Sequence, residues 1–393
     1  MTTAVAPALP AIARKPPLTA LTGLRTLLAL SIVFFHFTPP HMEMLAPVFD
    51  NGFVFVGFFF LISGFILSYN YAERPTPLLK RDFWIARFSR LYPVYLVALA
   101  LSFQMLQSEW TARSHSEFFQ GLILTPLLLQ GWLPNLATFW NTVAWTLSCE
   151  FMLYIAFPWL IRIPLPERPT RLIALLLTLW LIGLVPHTLY ILLNPDHLSA
   201  AADRYTGTYW IRVLKYTPPS YICTFLCGVT LGRLHARLPL RASQRLLLAA
   251  SSLAVLGLSF YIALPHVPYI LLHGGLLMPL FAALTLGLSG PHLLTSAFSI
   301  RPLVYLGQST FCLYLLHFNV FLLIRSTRLM ERLHLAAFDP WITYAAIVAL
   351  ALTVHRFVET PARKALTRRF ASPPAPPKTA SEAEYNNLSY SRR

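Results

Sequence analysis

Apolar residues dominate the chain in runs of about 16 to 22, divided by short polar connections. The runs lie at about 20–38, 52–70, 91–107, 143–161, 172–193, 219–234, 246–264, 270–289, 303–324 and 341–358. A transmembrane α-helix needs about 20 consecutive apolar residues, because the bilayer core is about 30 Å thick and a helix rises about 1.5 Å per residue. The pattern therefore predicts an all-α integral membrane protein of about ten transmembrane helices, each satisfying its own backbone polar groups. An eleventh apolar stretch, "FFQGLILTPLLLQGWL" at 118–133, is short and broken by Pro126 and Gly131. It reads as interfacial or re-entrant; if it spanned, every later helix would be inverted.

Composition agrees. Of 393 residues, 56% are hydrophobic and 12% charged, about half the charged share of a soluble domain. The net charge of +16 comes from 31 Lys and Arg against 15 Asp and Glu. These basic residues sit in the connections between apolar runs and form no continuous stripe, so topology explains them and nucleic acid does not. With ten spans and an inside N-terminus, the outer loops hold seven of them: Arg113, Arg204, Arg212, Lys215, Arg325, Arg328 and Arg332. The other 24 lie inside, which the positive-inside rule reads as both termini cytoplasmic in the cell inner (plasma) membrane. The domain plan is a cytoplasmic segment 1–19, a transmembrane domain 20–366 and a Pro- and Ser-rich disordered tail 367–393. The N-terminus has no n-region, h-region and cleavage site of a removable signal peptide.

Several polar residues break the apolar pattern. In "LTGLRTLLALSIVFFHF", Arg25 and His36 are eleven positions apart. At about 100° per residue they fall within about 20° of one helix face, about 16 Å apart along the axis. Arg25 alone is equally a snorkelling anchor at the interface. In "RDFWIARFSRLYP", Arg87 and Arg90 share a face at i, i+3. They form either a bidentate phosphate clamp or two positive-inside anchors. Glu150 in "WTLSCEFMLYIAFP" is the only carboxylate well inside a span, roughly 10 Å deep. Such a group requires a partner, and His36, at similar depth, is the candidate. A His–Glu pair would orient an imidazole as base; an interhelical structural bond is the alternative. Tyr314 and His317 in "STFCLYLLHFNVF" lie at i, i+3, and Ser63–Gly64 in "FFFLISGF" permits close helix approach or a local break. Cys223 and Cys227 share a face but have no His or carboxylate beside them in sequence, so small-residue packing is the reading and no metal site is expected.

Taken together these stretches resemble the acyltransferase-3 family of membrane O-acyltransferases, which contains bacterial O-antigen and peptidoglycan O-acetylases. Arg25 and His36 match its Arg-x10-His signature, and Arg87 and Arg90 its R-x-x-R signature. "FFFLISGF" matches the pattern FFxxSGF, Trp145 through Glu150 the pattern W-[ST]-L-x-x-E, and Tyr314 to His317 an element YLxH. "VETPARKAL", starting with the residue before Glu359, resembles the usual ending. The resemblance implies an acyl-CoA co-substrate, acetyl-CoA above all, with no bound cofactor. It implies an extracytoplasmic carbohydrate or glycolipid hydroxyl as acceptor. Arg25, Arg87 and Arg90 would meet the donor's phosphates and His36 would be the catalytic histidine, with Glu150 orienting it. Ser63, Trp145, Tyr314 and His317 would be substrate-site residues. The flexible pantetheine arm has about the reach that separates Arg25 from His36. Some members carry an extracytoplasmic esterase-like domain that completes the transfer. This sequence has no run resembling its nucleophile motif, so helices alone or a separate extracytoplasmic transferase partner would do so. The competing reading is a proton-coupled transporter or flippase with His36 and Glu150 as relay.

Overall fold

The structure, a computed structural model, describes residues 15–74 and 78–372. Most of the 1–19 segment and residues 373–393 of the proposed tail lie outside the described residues. Residues 367–370, assigned to the tail by composition, continue the last helix.

Among the described residues the chain is helical and contains no strand. Each of the ten apolar runs holds one main helix. These are α1 (Thr19–His36), α2 (Val54–Tyr71), α3 (Lys80–Leu101), α4 (Trp145–Leu160), α5 (Pro169–Leu193), α6 (Ile222–Arg237), α7 (Ala242–His266), α8 (Tyr269–Gly287), α9 (Thr310–Ser326) and α10 (Trp341–Phe370). Six of them, α1, α2, α5, α7, α8 and α10, are long and apolar enough to cross a membrane. The count rises to eight if two bent pairs are each one span: α3 with Met105–Ala112, at 72°, and Arg301–Gln308 with α9, at 67°. The remaining two, α4 and α6, have 16 residues each, about 24 Å of helix. That is short of a bilayer core, and both are enclosed by other helices over much of their length.

Residues 118–133 form no straight span. A helix His115–Leu124, started by a reciprocal Ser114–Glu117 cap, gives way to turns and a short 3-10 helix Gln130–Trp132. Backbone without helical partners must be satisfied by neighbours when water is excluded. Here α3 and α4 supply them: Tyr95 Oη donates to the Thr125 carbonyl at 2.6 Å, and Gly131 N donates to Ser148 Oγ at 3.3 Å.

α2 and α6 cross with their backbones in close contact. A Cβ added at Gly64 would lie 2.2 Å from the Phe225 carbonyl oxygen, and one at Gly228 would lie 2.1 Å from the Leu61 carbonyl oxygen. Small residues thus let two backbones touch. α2 runs unbroken through Ser63–Gly64, so that dipeptide serves close approach and makes no local break. Cys227, next to Gly228 but turned toward α5, is buried and donates weakly to the Leu176 carbonyl.

Candidate active site

α1, α2, α3, α4 and α9 enclose a cavity of about 130 Å³. That is room for a phosphate-sized group, well below the roughly 300–1,000 Å³ of sites that enclose whole drug-sized ligands. Arg25, Arg87 and Arg90 line it together with Glu150, Ser63 and Tyr314. Two helices, α1 and α3, thus bring to one place the arginines that the sequence scatters over 66 positions. The helical repeat aims Arg87 and Arg90 the same way. Arg87 Nη2 donates to Tyr71 Oη at 3.3 Å, and its guanidinium stands 5.4 Å from the Phe83 ring centroid and 5.7 Å from that of Tyr154. Arg25 stands 5.8 Å from the Phe59 ring. Aromatic walls hold these cations while leaving donors free. The Nε atoms of Arg87 and Arg90 are buried without a hydrogen-bond partner.

Glu150 shares this cavity with the arginines, which corrects its expected pairing with His36. Its carboxylate accepts a short hydrogen bond from Tyr154 Oη, and Ser63 Oγ lies 3.3 Å from the same hydroxyl. No hydrogen bond joins Glu150 to His36 among the described residues. Equal depth on two helices leaves their azimuth open, and packing turns Glu150 toward the arginines. With its groups ionised, the cavity carries three positive charges against one negative, an arrangement suited to a polyanion.

His36 lies at the far end of α1 from Arg25, outside the cavity lining. Its neighbour is His317: the two ring centroids are 5.3 Å apart. His317 is fully buried, and its Nδ1 is 2.7 Å from the Tyr314 carbonyl oxygen. A carbonyl only accepts, so Nδ1 carries the proton and Nε2 is left as a bare acceptor. That Nε2 is buried without a partner. Tyr314 joins the two regions, since it lines the cavity while its ring lies 5.8 Å from that of His317. Trp145 stays out of the cavity and packs on Tyr216 and Tyr221, at 5.2 and 5.5 Å between centroids. Tyr154 and Tyr71 are cavity partners that sequence reasoning missed. Tyr154 was within reach of it, four residues after Glu150 and hence on the same helix face.

A model of the family described as "Acyltransferase domain" (acyltransferase-3) matches residues 18–355 of the chain. The chain belongs to the acyltransferase-3 family. It is a multi-pass membrane protein and an enzyme of acyl transfer. It is 28% identical to the acyltransferase MdmB of Streptomyces mycarofaciens, over 95% of this chain and 98% of that protein. It is 24% identical to the O-acetyltransferase OatA of Staphylococcus aureus, over 90% of this chain and 58% of OatA. It is 23% identical to the peptidoglycan O-acetyltransferase OatA of Listeria monocytogenes, over 88% and 56% respectively. The chain therefore spans nearly all of MdmB and somewhat over half of the OatA proteins. No solved structure matches it.

Proposed function

We propose that this acyltransferase-3 protein takes an acyl group, in the first place acetyl, from cytoplasmic acyl-CoA. The acceptor is a hydroxyl of an extracytoplasmic carbohydrate or glycoconjugate. The observation that carries the reading is the net-positive cavity of Arg25, Arg87 and Arg90, connected through Tyr314 to the His36–His317 pair. Ten crossings with both termini in the cytoplasm put the arginine end inside and His36 in the outer half, as the charge asymmetry favours.

In this reading the three guanidiniums hold phosphates of the donor, and Glu150 with Tyr154 fixes their spacing. The cavity at about 130 Å³ receives one phosphate-sized portion. The rest of the donor enters as the surrounding helices part. The acyl thioester reaches past Tyr314 toward His36. His36 takes the proton from the acceptor hydroxyl as that oxygen attacks the thioester carbonyl. His317 Nε2 accepts the N–H of the other His36 ring nitrogen and so fixes its tautomer. The carbon–sulfur bond breaks, and the departing thiolate receives the proton held by His36. A separate extracytoplasmic partner that passes the acyl group onward belongs to the same reading, since the OatA relatives are longer than the matched region.

The test is the purified protein in lipid nanodiscs with acetyl-CoA, together with mass spectrometry of surface glycans from cells with and without the gene. Consumption of acetyl-CoA and loss of an acetyl mark on the glycan are expected. Movement of a solute across the membrane without acyl-CoA consumption would replace this reading by a transporter.

A further inference from the structure

Arg90 has a partner on the side away from the cavity. Glu359, only 2% exposed, closes a π-helical turn His355–Glu359 inside α10. Its Oε2 accepts from His355 Nδ1 at 2.8 Å and from Cys312 Sγ at 3.3 Å, and its Oε1 is 3.6 Å from Arg90 Nε. Arg90 lines the cavity, whereas Glu359, His355 and Cys312 do not. The carboxylate therefore stands behind the wall, and the guanidinium stands between it and the cavity.

We propose that Glu359 is a positioning residue for the anion site: it holds Arg90 by Nε, so that the two Nη groups are presented to a phosphate of the donor. The inference rests on the reading that the cavity takes acyl-CoA. At 3.6 Å the contact is an ion pair and leaves Arg90 Nε without a hydrogen bond; the carboxylate's charge draws the guanidinium back on its Nε side and leaves the Nη donors available. His355 and Cys312 hold the carboxylate in turn. The π-turn matters because it changes the local helical repeat, and such turns recur at functional sites. Cys312 adds a second tie, since it lies on α9 between cavity residues Phe311 and Tyr314. The three side chains also offer a thiol, an imidazole and a carboxylate within 4.8 Å of one another, the spacing of a metal site. The neighbouring Arg90 cation opposes a second cation there, and Glu359 already has its donors.

The experiment measures coenzyme A binding and steady-state acetyl transfer by the full-length protein in nanodiscs. Glu359→Gln is expected to weaken coenzyme A binding about tenfold and to raise KM for acetyl-CoA, with kcat within about twofold and KM for the acceptor unchanged. In an Arg90→Ala background the same substitution should add nothing, because residues acting through one another are non-additive. His355→Ala, at a half-buried position, should shift KM in the same direction by a smaller factor; it decides the matter if Glu359→Gln does not fold. An unchanged donor KM in these variants, or losses that multiply with Arg90→Ala, overturns the positioning role. Stoichiometric zinc in the wild-type protein, lost in Glu359→Gln, overturns it in favour of a metal site. If the wild-type protein binds no coenzyme A at all, the parent reading fails first; if it binds and the variants bind equally well, this inference alone fails.

Discussion

A bare imidazole nitrogen in a protein interior costs about 1–3 kcal/mol unless something pairs with it. His317 Nε2 is such a nitrogen, and among the described residues the imidazole beside it is that of His36. Replacing His36 by Ala should lower acyl transfer by about 10²–10⁴-fold, the usual contribution of a general base, while donor binding persists. His317→Ala should fall close to it, and the double variant should be no worse than the more severe single one, since a catalytic pair acts as a unit. Single-turnover rates beside coenzyme A affinity check this; an active His36→Ala protein would sink the mechanism. The sequence made His36 legible, because an ionisable group in line with an arginine on an apolar helix stands out. It did not make its partner legible: depth follows from counting residues, whereas the direction Glu150 faces depends on how α4 packs. A second residue-scale consequence lies outside the spans. Lys215, on the short helix Tyr209–Tyr216, is 5% exposed and donates to the Arg204 carbonyl at 3.2 Å. The rings of Tyr216 and Tyr269 face it, with Asp203 and Arg212 as the nearby charges, and burial pushes its pKa down to about 8. The unfolded lysine titrates near 10.4, so between these values the unfolded chain binds more protons than the folded one. Stability should therefore be level below about pH 8 and rise by about 1 kcal/mol per pH unit above it. Thermal unfolding in detergent between pH 7 and 9.5 should show this rise, and Lys215→Met should remove it.

Helices pack here by two different means, and single glycines tell them apart. At the α2–α6 crossing, Gly228 leaves no space for a Cβ against the Leu61 carbonyl, which is backbone and cannot step aside. Gly228→Ala should destabilise the protein by about 1–3 kcal/mol, the range for overpacking, or prevent its accumulation in the membrane. Gly257 on α7 has nothing within 4 Å of an added Cβ, so Gly257→Ala should leave stability unchanged or slightly raised. Equal effects of the two, measured as melting temperature and yield, would contradict the crossing. The small-residue signal around Ser63 and Cys227 was readable from the sequence as close packing. The bends were not. A 72° turn after α3 and a 67° turn before α9 leave the hydropathy profile continuous, because each half stays apolar while the axis changes. The same blindness hid the turn His355–Glu359, where the helix widens without any change in composition.

At the scale of the whole chain, contacts between connections limit how many crossings can separate them. Asp50, after α1, pairs with Arg204, after α5, at 3.7 Å, and Arg204 Nη2 also donates to the Phe35 carbonyl. Tyr261, late in α7, donates to the Met44 carbonyl at 2.6 Å. At the opposite end, Lys15 pairs with Glu73 at 2.9 Å, Glu167 with Arg237 at 3.7 Å, and Asp82 accepts from Ser372. Groups in contact share a side, so an even number of crossings lies between Asp50 and Arg204. That condition is met when 118–133 does not cross, and it fails if this stretch alone is added to ten spans. Which end is cytoplasmic is then a matter of charge: the end with Lys15, Arg237 and the basic C-terminal helix carries most of the 31 Lys and Arg. Reporter domains fused after residue 80, 167 or 240 should report cytoplasm, and those after 45, 200 or 330 the outside. A cytoplasmic signal at 200 beside an outside signal at 45 would break the Asp50–Arg204 contact. A complete inversion of all six would keep the fold but place the arginine cavity outside, away from any cytoplasmic acyl-CoA, and the donor would then have to be something else.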